Sequence, residues 1–116
     1  MHGRTKVIVM AEVIDVQTAR EMWRLGDTVI DVRTPSEYAN GHISGAINVP
    51  IDSLSNGVDA LPDGQILTAC GSGGRGGRAA SLLVASGREA FSIEGGTKAW
   101  QAAGLPVHVG PDPGPR

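Results

Sequence analysis

Four short apolar runs punctuate the chain. Val29-Ile30-Asp31-Val32, Ala46-Ile47-Asn48-Val49, Ile66-Leu67-Thr68-Ala69 and Ala90-Phe91-Ser92-Ile93 are each about four residues long and bounded by polar, Gly or Pro residues. Such runs read as strands buried on both faces, with Val29–Val32 central and Ala90–Ile93 the last. Segments of helical period lie between them. Val16, Ala19 and Trp23 recur behind an Asp15 N-cap and stop at Gly26, with Thr18 and Glu21 offering a competing capping box. Thr34-Pro35-Ser36-Glu37 combines a capping Thr, a Pro at the first helical position and a Glu at the third, and Gly41 ends that helix after little more than a turn. Asp52 is expected to cap a short helix, and Pro62-Asp63-Gly64 marks a turn. Helices are expected over Arg78–Ser86 and Thr97–Ala103, closed by Gly87 and by Gly104 with Pro106.

Strands alternating with helices predict an α/β fold, with a mainly parallel central β-sheet flanked by helices on both faces. Residues 1–12 read as an N-terminal arm or short strand, centred on Val7-Ile8-Val9-Met10, and 13–109 as one domain. Residues 110–116, with Pro111, Pro113 and Pro115, read as a disordered tail. A length of 116 residues suits one domain with a real core. The net charge of −2 argues against general binding to nucleic acid or to an anionic membrane, and no apolar run reaches the roughly 20 residues that span a bilayer. A single cysteine removes any internal disulfide framework and any multi-thiolate zinc site, and His2, His42 and His108 lack ligand spacing, so no metal and no cofactor are expected. A reducing, cytoplasmic setting is the expectation.

The chemistry concentrates in Cys70-Gly71-Ser72-Gly73-Gly74-Arg75-Gly76-Gly77-Arg78. The cysteine ends a buried strand at the sheet edge where parallel α/β folds gather ligands. Five glycines in the seven positions from Gly71 to Gly77 need a reason, either positive φ or a close approach of the backbone. Consecutive amides in such a turn form an anion-binding nest, and a following helix start and Arg75 add to its field. A thiolate at the mouth of that nest is stabilised, which favours a reactive cysteine over a small buried hydrophobe. Arg78 reads as a solvated cation, and Trp23 and Trp100 as packing residues.

Cys70 through Arg78, with Asp31-Val32-Arg33 upstream and Glu94-Gly95-Gly96 downstream, resembles a single-domain rhodanese-like sulfurtransferase, in the family's motif order and over about Asp15 to Val107. The resemblance implies that Cys70 is the nucleophile that carries a persulfide. It implies that Gly71, Ser72, Gly73, Gly74, Arg75 and Arg33 bind the substrate, and that Asp31, Glu37 and His42 give structural support. The implied partners are a small sulfur donor, thiosulfate or a persulfide, and a thiol or cyanide acceptor, with a sulfur-accepting protein as a further partner. The chain departs from the family where a cation often follows the cysteine and a serine the later arginine: it has Gly71 and Gly76.

Two other readings use the same residues. A relay or binding module without turnover would hand persulfide sulfur from Cys70 to a protein. A cysteine-dependent phosphatase would share the cysteine, amide cradle and arginine. Its signature places five residues between cysteine and arginine, whereas Gly71 to Gly74 leaves four here. The shorter ring suits one sulfur better than a tetrahedral phosphoryl group.

Overall fold

Strands covered on both faces must be apolar on both, and the alternating side chains of each strand divide between two layers. The structure, a computed structural model, describes residues 10–71 and 74–116. In chain order the elements are β1 (Glu12–Ile14), α1 (Val16–Arg24), β2 (Thr28–Asp31), α2 (Pro35–Ala39), β3 (His42–Ile43), β4 (Ile47–Asn48) and α3 (Ile51–Gly57). A 3-10 turn follows at Val58–Ala60, then β5 (Ile66–Ala69), α4 (Gly74–Ala85), β6 (Ala90–Ile93), α5 (Gly96–Ala102) and β7 (Val107–His108). The main sheet runs β1-β6-β5-β2-β4 with every pair parallel, and β3 and β7 form a separate antiparallel pair.

β5 is central and buried throughout. Leu67 and Ala69 join a layer with Ala19 and Trp23 of α1, Tyr38 of α2 and Trp100 of α5. Ile66 and Cys70 face the other way, into a layer with Leu54 of α3 and Ala79, Ala80 and Leu83 of α4. The two tryptophans act as packing residues. Their rings meet edge to face at 5.4 Å, and their Nε1–H groups donate to the Ser44 and Pro106 carbonyls at 2.7 Å.

Local signals placed two helix starts correctly. Asp15 accepts from the Thr18 N–H at 2.8 Å and caps α1. Thr34 and Glu37 form the reciprocal capping box that opens α2, with Pro35 at its first position.

Several expectations are corrected. β2 is interior but lies one strand from the edge, and β5 takes the centre. Asp52 sits inside the first turn of α3, behind Pro50, and provides no side-chain cap. The last strand is β7, not β6: its pairing with β3 is a long-range contact that two residues of local pattern do not announce. The Val7–Met10 strand lies outside the described residues except for Met10, which is exposed.

α4 begins at Gly74, four residues before the expected Arg78. Glycine disfavours helix by about 1 kcal/mol per residue relative to alanine, but packing offsets that here. Gly76 is buried, and a Cβ on it would lie 3.5 Å from both Thr68 Oγ1 and Ser92 Oγ. The Thr68 hydroxyl donates to the Gly76 carbonyl at 2.7 Å. Among the described glycines of this loop none has positive φ, and a Cβ on Gly76 would make only ordinary van der Waals contacts, so neither left-handed backbone nor a forced close approach accounts for Gly76.

The tail is also corrected from disordered to docked. Gly110 N–H donates to the Ala39 carbonyl at 2.8 Å, and the Pro113 carbonyl accepts from Gly45 N–H at 2.7 Å. His42 Nε2 lies 3.0 Å from the same Pro113 oxygen, and Arg116 donates to the Trp23 carbonyl at 2.8 Å. Composition marks this segment as poor in apolar residues; backbone bonds and the His108 ring, which leaves no room for a Cβ on Gly114, hold it. Among the described residues no helix is long and apolar enough to cross a membrane.

Candidate active site

The parallel sheet brings the carboxyl ends of β2, β5 and β6 to one rim, and with them Arg33, Cys70 and Glu94. Cys70 follows the last residue of β5 and is 1% exposed. The backbone around it is tied from both sides. Val32 N–H donates to the Ala69 carbonyl at 3.0 Å, Thr97 N–H to the Cys70 carbonyl at 2.7 Å, and Lys98 N–H to the Gly71 carbonyl at 3.4 Å. Gly71 is half-buried, Gly74 is exposed at the start of α4, and the positions assigned to Ser72 and Gly73 lie outside the described residues.

Arg75 occupies the first turn of α4. A Cβ on Gly71 would stand 3.8 Å from its Nη2, so the guanidinium lies against the start of the loop. Its Nη1 and Nη2 donate to Glu37 Oε1 and Oε2 at 2.8 and 3.0 Å, a bidentate pair joining α4 to α2. The Arg75 hydrogen bonds hold the Glu37 carboxyl down at about 2, helped by the Thr34 N–H that it also accepts. The Arg75 charge is favoured first by Glu37, with smaller attractions from Cys70 and Asp31.

Arg33, to which the resemblance gives a substrate-binding role, is engaged within the fold. It is 8% exposed, and its Nε and Nη2 donate to Asp31 at 2.9 and 2.6 Å while Nη2 also donates to the Gly41 carbonyl at 2.7 Å. Asp31 is fully buried and accepts the Arg33 backbone N–H as well, at 3.0 Å. The Asp31-Val32-Arg33 segment is thus a buried ion pair that folds the chain from β2 towards β3. Removing one partner of such a pair typically costs about 3–5 kcal/mol.

His42 is buried with Nδ1 at 2.8 Å from the Tyr38 carbonyl and Nε2 facing Pro113, and its ring stacks on Tyr38 at 3.6 Å. Both nitrogens are engaged by backbone, which suits support rather than proton transfer. Arg78 is exposed on α4.

Two features escaped the sequence reading. Glu37 was assigned general support, but its specific partner is Arg75, 38 positions away. The Gly95-Gly96 pair was noted as a motif without a role. Gly95 and Gly96 have φ of +74° and +57°, and Gly96 is packed against the Cys70 backbone. The consecutive glycines at a helix start were the available signal.

A parallel sheet wrapped on both faces, with a lone cysteine on its carboxyl rim, defines an α/β protein built around one thiol. Residues 14–103 match the rhodanese-like domain family, and the chain belongs to that family. It is 36% identical over 108 residues to the chloroplastic thiosulfate sulfurtransferase 16 of Arabidopsis thaliana, across 81% of this chain and 90% of that one. It is 34% identical over 91 residues to the thiosulfate sulfurtransferase GlpE of Ectopseudomonas mendocina (strain ymp), across 77% and 84%. The crystal structure of a rhodanese-related protein from Thermoplasma volcanium matches with a TM-score of 0.79 at 31% identity, over 84% of this chain and 98% of that one.

The Glu37–Arg75 pair generates a pH prediction. The folded carboxyl titrates at about 2 against an ordinary 4.5, so its contribution to stability is present above about pH 4.5 and is lost as pH falls through about 2. Because Glu37 is 40% exposed, solvent screening keeps that contribution within about 1 kcal/mol. Urea midpoints of the native protein and Glu37→Gln should therefore differ at pH 7 and converge near pH 2. A gap that persists unchanged at pH 2 would show that the pair is not its source.

Proposed function

We propose that the protein is a sulfurtransferase that moves a sulfane sulfur from thiosulfate to a thiophilic acceptor, cyanide or a thiol, through a persulfide on Cys70. The observation that carries this reading is the placement of the only cysteine at the carboxyl end of the central strand, directly before the loop into α4. Family membership and relatives named thiosulfate sulfurtransferase support it. In the first displacement the Cys70 thiolate attacks the outer sulfur of thiosulfate. A Cys70 S–S bond forms, the donor S–S bond breaks, and sulfite leaves with the electron pair. In the second, cyanide attacks the outer persulfide sulfur, thiocyanate departs and the thiolate returns. Splitting the transfer in this way predicts ping-pong kinetics. The setting we propose is a reducing one, such as a cytoplasm, where a lone thiol stays reduced.

The pairing of the nearby arginines favours a second reading of the donor. Arg33 is buried against Asp31, and Arg75 is neutralised by Glu37. A dianion therefore meets a weaker field than the motif suggests, and a persulfide donor or a sulfur-relay partner protein fits the site as well as thiosulfate does. Phosphoryl transfer gains nothing from this arrangement, since Gly71 to Gly74 leave the ring before Arg75 one residue short of the phosphatase signature.

Incubation with thiosulfate should add the mass of one sulfur to the intact protein, and cyanide should remove it. Cys70→Ser should gain none while keeping its unfolding midpoint. Sulfur uptake by the purified Cys70→Ser protein would overturn the assignment of Cys70. Uptake by native protein from a low-molecular-weight persulfide but not from thiosulfate would select the second reading.

A cation at position 71 would restore what the pairing removes. A charge-assisted hydrogen bond is worth about 1.5–3 kcal/mol, equivalent to about ten- to a hundredfold in binding. Gly71→Arg is accordingly expected to lower KM for thiosulfate by that factor, with a gain that shrinks as salt rises. Steady-state assays at two ionic strengths measure it; an unchanged KM in a folded variant would mean that charge at the mouth does not limit thiosulfate use.

A further inference from the structure

The Cys70 carbonyl and the Cys70 side chain point to opposite faces of the sheet. The carbonyl accepts the Thr97 N–H of α5, whose Trp100 packs in the layer with Leu67 and Ala69. The side chain packs in the other layer, with Ala79, Ala80 and Leu83 of α4. Across a trans peptide the C=O and the next N–H are antiparallel, and the Cys70–Gly71 peptide is trans. With the Cys70 oxygen turned towards α5, the Gly71 N–H is turned towards α4, the side that holds the sulfur.

Gly96 permits that orientation. Its φ of +57° already disfavours other residues, and a Cβ on it would collide with the Cys70 carbonyl oxygen and stand 2.9 Å from the carbonyl carbon and 3.2 Å from the Cys70 nitrogen. All three are backbone atoms, so the peptide itself would have to move.

We propose that Gly96 is a positioning residue: by leaving room for the Cys70 carbonyl on α5 it aims the Gly71 N–H at the sulfur, where it supports the negative charge of the thiolate and of the persulfide. The proposal rests on the sulfur-transfer reading for its consequence, but its geometry can be tested without sulfur transfer.

Gly95 supplies a matched control. Its φ is +74°, and a Cβ there would stand 2.6 Å from the Ala99 Cβ, with no Cys70 atom among its nearest neighbours. Gly95→Ala therefore strains the same helix start without pressing on Cys70. The readout is the ratio of Cys70 alkylation rates with iodoacetate and iodoacetamide, since an aimed amide favours the anionic reagent and the ratio cancels general changes in thiol access. Native protein and Gly95→Ala should share one ratio, and Gly96→Ala should show it reduced about ten- to a hundredfold, the value of one charge-assisted hydrogen bond. Equal ratios in the two variants would overturn the proposal.

Should Gly96→Ala fail to fold, amide NMR of the native chain decides. Carboxymethylation of Cys70 should move the Gly71 amide proton further downfield than the uncharged carboxamidomethyl group does, and equal shifts would overturn the proposal. Sulfur loading of native protein from thiosulfate and from a low-molecular-weight persulfide is followed in parallel: its absence with both donors, with the alkylation ratios as expected, counts against the sulfur-transfer reading and leaves the role of Gly96 standing.

Discussion

The hydrogen bond from Thr97 N–H to the Cys70 carbonyl, 2.7 Å long, ties the end of the central strand to the start of the last helix. Much of the structure is arranged so that it can form. Gly95 and Gly96 bring the chain out of β6 with two left-handed residues, and the absent Cβ of Gly96 lets backbone meet backbone. Trp100 then anchors α5 by burying its indole and donating to the Pro106 carbonyl. On the other face the Thr68 hydroxyl of β5 donates to the Gly76 carbonyl in the first turn of α4. The peptide at Cys70 is thus held by α5, which approaches it through Gly96.

Charge near the thiol is handled by pairing. Asp31 with Arg33 is buried and holds a turn, while Glu37 with Arg75 is partly solvated and joins two helices. A buried pair such as the first is retained through its full set of hydrogen bonds, because desolvation cancels most of its Coulomb gain. The solvated pair is weaker and therefore easier for an incoming anion to compete with.

The sequence carried the parts of this arrangement that depend on neighbours in the chain. Asp15 and Thr18, or Thr34 and Glu37, lie three residues apart, and both caps form as read. The buried run Ile66–Ala69 ending on Cys70 was legible for the same reason, as was the α/β class. Features set by distant partners were not. Arg33 is the exception: Asp31, two residues upstream, was in view, but the spacing alone does not show that this carboxylate and the Gly41 carbonyl absorb the guanidinium. Gly74 to Gly77 looked like a turn because helix propensity is a local quantity, whereas the first turn of α4 is tied to β5 by the Thr68 hydroxyl on the Gly76 carbonyl. The Pro-rich tail looked disordered because its anchors, Ala39, His42 and Gly45, lie some 70 residues upstream.

The central claim is that Cys70 carries sulfur in a cradle whose first amide is aimed by α5. A crystal structure of the protein treated with thiosulfate and with a low-molecular-weight persulfide tests it most directly. The account predicts one added sulfur on Cys70 Sγ, in hydrogen-bonding contact with the Gly71 N–H, with the Thr97 N–H still on the Cys70 carbonyl. An unmodified thiol, or a persulfide facing away from Gly71 with the Cys70 carbonyl released from α5, would contradict it.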